Sequence, residues 1–192
     1  NGFGTADITI RATDSGGLYV EDTFRVTVNS VNDAPTATNL NAGETYSEDT
    51  ALDLTDIVVS DVDSTNVTAT LTLSTIAAGS LNTGTSGAVT STYVAGTGVW
   101  TASGAIADVN ILLAGLTFTP APNFNSNFTI ATSVSDSVAT PIIGTKNMTG
   151  TAANDTPTDI ALTNNNVDEN LAIGTLVGTF STTDVDTGDT FT

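Results

Sequence analysis

The sequence predicts an all-β protein made of tandem Greek-key β-sandwich repeats, with one short helix in the complete repeat. Three observations predict it. Short runs alternate apolar residues with Thr, Ser or charge, the period-2 mark of strands with one buried face. Clusters of Gly, Asn, Asp and Ser interrupt the runs, as turns require. Acidic motifs recur about 122 positions apart, which makes the chain a repeat array.

The elements follow in chain order. "ADITIRAT" (6–13) and "TFRVTVNSV" (23–31) read as strands, rich in the Thr and Val that suit a pleated, half-buried surface. "NVTATLTLS" (66–74) repeats the pattern. "SGAIADVNILLAGL" (103–116) departs from it: Ile106, Val109, Leu112, Leu113 and Leu116 fall at helical spacing. A helix is expected near 105–114, with Asp108 in its first turn, Gly115 as its C-terminal cap, and one end or edge of a sandwich beneath it. "NFTIATSVSD" (127–136) returns to strand alternation. Phe118, Phe124 and Phe128 read as core or sandwich-end packing. Trp100, beside Val99 and small residues, reads as core with sugar stacking as the alternative.

Composition narrows the chemistry. The 192 residues carry 21 acidic and 3 basic side chains (Arg11, Arg25, Lys146), a formal net charge of −18. This argues against nucleic acid, whose phosphates need Lys and Arg, and against anionic lipid. With 39% hydrophobic residues in short β-branched runs, the chain should fold despite its charge. A cation is the natural compensating partner. Without Cys or His, disulfides, thiolate zinc sites and Ser-His-Asp catalysis are excluded, and an enzyme is the least expected reading. Carboxylate, amide and carbonyl oxygens remain, a ligand set for hard cations, calcium above all. No run of 18 apolar residues exists, so no membrane insertion is expected. The Asn-Gly-Phe-Gly start lacks a secretion-signal pattern and an initiator Met, so the chain is expected to be a window of a longer one.

The repeat fixes the frame. Asp14 recurs as Asp136 and Asp33 as Asp155, both 122 positions on. Glu48 recurs as Glu169 after 121, and the Asp61/Asp63 pair as Asp184/Asp186 after 123. "VNDAP" (31–35) and "ANDTP" (153–157) become boundaries: 1–35 ends one repeat, 36–157 is complete, and 158–192 begins another. In Asp61-Val62-Asp63, read as extended chain, residues i and i+2 share a side, so both carboxylates face one point and Val62 turns into apolar packing. Several carboxylates converging without a cation would repel, and a calcium ion with six to eight oxygen ligands resolves the conflict.

The linkers "VNDAP" and "NDTP", with "SEDT", "DEN", two "DVD" and "ATDSGG", resemble the cadherin-like repeats of large bacterial surface adhesins. Residues 106–136 also look like a recurring segment of giant adhesins exported by type I secretion, the RTX class. The resemblance implies Ca2+ between successive domains of a secreted, extracellular protein of the cell surface, active in adhesion and biofilm. It implies a first junction of Asn32, Asp33, Asp61, Asp63 and Asp136. A second would use Glu48, Asn154, Asp155, Asp184 and Asp186, with Asp14 and Glu169 belonging to junctions upstream and downstream. One or two ions per junction are implied, because the linker is short and a Leu-Asp-Arg-Glu motif is absent. Partners would be neighbouring repeats, with glycans or like repeats on other cells as candidates.

Two alternatives stay open: a carbohydrate- or ligand-binding sandwich, and a filament subunit assembling by strand exchange between its partial terminal repeats. Glu48 also reads as a solvated loop carboxylate, Asn32 and Asn154 as turn formers, Asp189 as a turn residue or an addition to the site of the third repeat, and Asp53, Asp56, Asp108, Asp159 and Asp168 as surface or capping groups.

Overall fold

The computed structural model describes residues 2–186 and 188–190. The chain begins with a hairpin, β1 (Gly4–Thr13) and β2 (Tyr19–Val28). A short pair follows, β3 (Thr36–Ala37) with β6 (Val59–Ser60), and between them lie β4 (Glu44–Ser47) and β5 (Leu52–Asp53). Then come β7 (Asn66–Leu73), β8 (Gly79–Leu81), β9 (Thr85–Ser86), β10 (Val89–Thr90), β11 (Thr92–Val94) and β12 (Val99–Ala105). After α1 (Ile106–Ala114) follow β13 (Thr117–Pro120), β14 (Phe128–Ser135) and β15 (Ile142–Thr151). The chain closes on β16 (Asp159–Leu162) and β17 (Phe180–Thr183), which pair antiparallel.

Two sheets make the central sandwich, so the molecule is all-β with one short helix. The larger runs β11-β12-β7-β14-β15-β4, and the smaller β5-β13-β8. Strand alternation sets the faces: along β7, Val67, Ala69, Leu71 and Leu73 are buried while the residues between them are not. An aromatic cluster joins the sheets. Phe118 of β13 lies 5.3 Å from Tyr46 of β4 and 5.1 Å from Phe128 of β14, with Phe124 a further 6.1 Å from Phe128. Trp100 is fully buried and its Nε1–H donates to Asn82 O (2.9 Å), so it serves the core. Its burial withdraws the exposed ring that the sugar-stacking alternative placed at Trp100.

The helix matches the expected span. Val109 and Leu113 are buried, and Asn110, which no sequence signal singled out, exchanges two hydrogen bonds with the Val59 backbone (2.8 and 2.9 Å). Gly115 caps it without left-handed backbone: its φ is −102°, and its N–H reaches Ile111 O (3.2 Å).

Among the described residues, every member of the buried apolar core lies between Leu40 and Met148. The N-terminal hairpin instead exposes Ile8, Ile10, Phe24, Val26 and Val28. Its register is that of β14–β15 moved along the chain. Ala6 pairs with Val26 and, 122 positions on, Phe128 pairs with Met148. The exposed Ile8 and Val26 thus correspond to the buried Ile130 and Met148. Phe24 corresponds to Lys146, which is fully buried and bonded by its Nζ to Glu44 Oε1 (2.9 Å) and Thr55 O (3.0 Å).

Candidate functional site

Both Asn-Asp-x-Pro linkers close the same small network. At the first, Asn32 Nδ2 donates to Asp33 O (2.9 Å), the Asp33 N–H donates to Asp63 Oδ2 (3.0 Å), and the Asp63 N–H donates to Asp61 Oδ1 (3.1 Å). At the second, Asn154 Nδ2 donates to Asp155 O (2.9 Å), the Asp155 N–H to Asp186 Oδ2 (2.6 Å), and the Asp186 N–H to Asp184 Oδ1 (2.9 Å). The neighbouring strands agree: Thr36 Oγ1 donates to Ser60 O and Thr158 Oγ1 to Thr183 O.

The Asp-x-Asp geometry differs from the extended chain expected. Asp61 Oδ1 accepts the N–H groups of both Asp63 and Ser64 (3.1 and 2.9 Å), which folds the motif into a turn. Val62 is 72% exposed, so it does not enter apolar packing. The local side-chain bond outcompetes extended backbone because a short carboxylate reaches the amides two and three residues on.

At the first linker hydrogen bonds reach both oxygens of Asp136 and one oxygen each of Asp61 and Asp63. Asp136 Oδ2 accepts from Asn32 Nδ2 (2.6 Å), and its Oδ1 from the N–H groups of Val138 and Ala139. Asn32 first, then those N–H groups, hold the Asp136 carboxyl below the usual range. Asp61 is likewise held low, chiefly by the Ser64 N–H, with burial and the Asp136 charge pushing the other way.

The second linker gains a group from the end of β4 in the central sandwich. Glu48 follows β4 directly, and its N–H donates to Thr151 O (3.1 Å), which seats it beside the end of β15. It is only 2% exposed, unlike a solvated loop carboxylate. Oε1 accepts from the Ala153 N–H (2.9 Å) and Asn125 Nδ2 (3.2 Å), while Oε2 has no hydrogen-bond partner. One carboxylate oxygen from each of Glu48, Asp155 and Asp186 lies within 4.8 Å of the other two, and Asp184, Asp186 and Asp189 form a second such group. Loss of solvent first, then the charges of Asp49, Asp186, Glu48 and Asp184, raise the Asp155 pKa.

Among the described residues, the buried side-chain oxygens and nitrogens without a partner are Glu48 Oε2, Asp61 Oδ2, Asp155 Oδ2 and Asp184 Oδ2. All four belong to residues that the repeat pattern selects. No Lys or Arg side chain answers them: Arg11 pairs with Glu21, Arg25 with Asp7 and Lys146 with Glu44. Desolvated carboxylate oxygens in an all-oxygen setting fit a hard divalent cation.

Two candidates stand apart. Asp14 Oδ1 accepts from the Gly16 and Leu18 N–H groups (2.9 Å each) and so closes its own hairpin turn. Glu169 is exposed. Two residues of the site escaped the sequence pattern. Asp49, at φ 61°, presents its charge to Asp155, and only its place beside Glu48 could have pointed to it. Asn125 has no periodic signal, because the position 122 earlier is Phe3.

No family model and no curated protein sequence matches the chain. Solved structures to which it is similar include protocadherin gamma B2 extracellular cadherin domains 1–5, at 12% identity and a TM-score of 0.46, covering 95% of this chain and 32% of that one. Domains 3–6 of protocadherin gamma B2 give 11% identity and a TM-score of 0.41, covering 86% of this chain and 37% of that one. The chain thus spans about a third of each structure.

Proposed function

We propose that this chain is a non-enzymatic, calcium-rigidified extender segment of a bacterial cell-surface adhesin of the RTX class. Residues 1–35, 36–157 and 158–192 are the end of one repeat, a complete repeat and the start of the next. One observation carries the reading: buried, unpartnered carboxylate oxygens gather at the Asn-Asp-x-Pro linkers, and every basic side chain is held elsewhere. Asn32, Asp33, Asp61, Asp63 and Asp136 hold Ca2+ at the first junction. Glu48, Asn154, Asp155, Asp184 and Asp186 hold it at the second, and Asp14 and Glu169 serve neighbouring junctions. Bound calcium supplies positive charge to carboxylates from a linker and the sandwiches on either side, so it fixes their relative orientation. Its immediate partners are neighbouring repeats, and its setting is extracellular.

Extracellular modules bind calcium at ~10⁻⁴ to 10⁻³ M, so millimolar calcium fills such sites. Heat denaturation and small-angle scattering with calcium and with EDTA test the proposal. Calcium raises the melting temperature and fixes the particle length, and Asp61→Asn with Asp63→Asn removes part of the response. A chain indifferent to EDTA in both measurements overturns the reading.

A further inference from the structure

We infer that Asn125 is a positioning residue for the cation at the second junction, an inference that rests on the calcium reading above. The two oxygens of the buried Glu48 carboxylate are treated differently. Ala153 N–H and Asn125 Nδ2 both donate to Oε1, and nothing donates to Oε2. One donor fixes a point and leaves the group free to pivot. Two donors from different elements, converging on one oxygen, fix which oxygen is spent and which is left for a ligand bond. A neutral amide does this without adding charge to a cluster that already holds Glu48, Asp155 and Asp186.

The amide is held by a tied loop. Between β13 and β14, the Asn123 N–H donates to Asp49 Oδ1 (3.2 Å), Tyr46 Oη–H donates to Ser126 O (2.7 Å), and Asn127 Oδ1 accepts from the Gly150 N–H (3.0 Å). A Cβ at Gly150 would overlap the Asn125 carbonyl, so only glycine admits the loop this close to β15. The counterparts 122 positions earlier are Phe3 for Asn125 and Val28 for Gly150. The N-terminal segment therefore does not share this device.

The test is a Tb3+ titration of the full chain, read by luminescence excited through its aromatic side chains. Lifetimes in H2O and D2O count the bound waters. Loss of an outer partner of a ligand typically costs about 10–100-fold in metal affinity. Asn125→Ala should weaken the second-junction site about tenfold and admit about one more water to the ion, with the first junction and the melting curve in EDTA unchanged. Asn125→Leu, with the same branching and number of heavy atoms but no donor, should do the same if the Ala variant melts early. Wild-type affinity and hydration in both variants overturn the inference. If Glu48→Gln weakens binding and the Asn125 variants do not, only the positioning role falls. If wild-type protein takes up no Tb3+, the calcium reading falls with it.

Discussion

At the first linker Asp33 meets Asp63 and Asn32 meets Asp136; at the second, Asp155 meets Asp186 and Glu48 arrives from the end of β4. The bonds within each linker match almost one for one. The carboxylates are nevertheless pushed in opposite directions. Asp61 and Asp136 are held low by N–H donors, whereas Asp155 is pushed up by lost solvent and surrounding charge. The difference teaches what a linker and an Asp-x-Asp turn can do alone: they satisfy much of their own charge. At the second linker a carboxylate from the end of β4, buried and bonded at one oxygen only, joins that cradle, and there the Asp155 carboxyl is pushed up.

Breaking the anchor of β4 gives the largest effect on this contrast. Lys146 and Glu44 are 0% and 7% exposed, and Thr55 donates to Glu44 through its N–H (2.9 Å) and Oγ1 (3.2 Å). Lys146→Met leaves Glu44 buried without its cation, a loss of about 3–5 kcal/mol, and loosens the strand that carries Glu48. Urea unfolding should report that loss, and cation binding should fail at the second junction while the first persists. Lys146→Phe with Glu44→Leu should recover most of the stability, since Phe24 stands at the counterpart position. A single-variant loss below ~1 kcal/mol would separate the pair from the anchoring of β4.

A smaller effect separates the sites directly. Calcium at ~100 times its dissociation constant adds ~2.7 kcal/mol per site to the state that binds it. Glu48→Gln should remove the second junction's share and leave the first intact. Calorimetric scans with calcium and with EDTA measure both shares, and an equal loss at the two junctions would erase the distinction drawn between them.

The smallest effect is in pH, without divalent cations. Asp155 has a folded-state pKa above the unfolded value of about 3.9. Its contribution is present below that value and is lost as pH rises through the raised one. Asp61 and Asp136 have depressed values, so their contribution is present above about 3.9 and lost as pH falls through the folded values. Acidification from neutrality in EDTA should raise the melting temperature slightly, then lower it. Asp155→Asn should flatten the first limb and Asn32→Ala the second.

Alternation and spacing made much of this legible. β1, β7, β14 and α1 fall within two residues of the expected spans; β7, β14 and α1 each bury one face at its own period, and β1 keeps the alternation with its residues exposed. β15 was harder to read. Its core positions include Lys146, whose charge is balanced only by Glu44, and Gly144 and Gly150 stand where Leu40 and Asn125 pack too close for a Cβ. At the site, acidic residues that recur were readable, and those acting through one loop contact, Asn125 above all, were not. The turn at Asp61 was missed because two-residue alternation describes strands, while an Asp in a loop bonds the amides that follow it.

The pairing of β4 with β15 is parallel, Met148 opposite Glu44 through Thr151 opposite Ser47. Tension along the chain enters β4 at its start and leaves β15 at its end, at opposite ends of the shared ladder. Pulled this way the strands slide past each other, so their bonds are loaded together and not opened one by one like a zipper. Under the load that the proposed extender role implies, resistance would lie in this ladder, which ends beside Glu48 and the second linker.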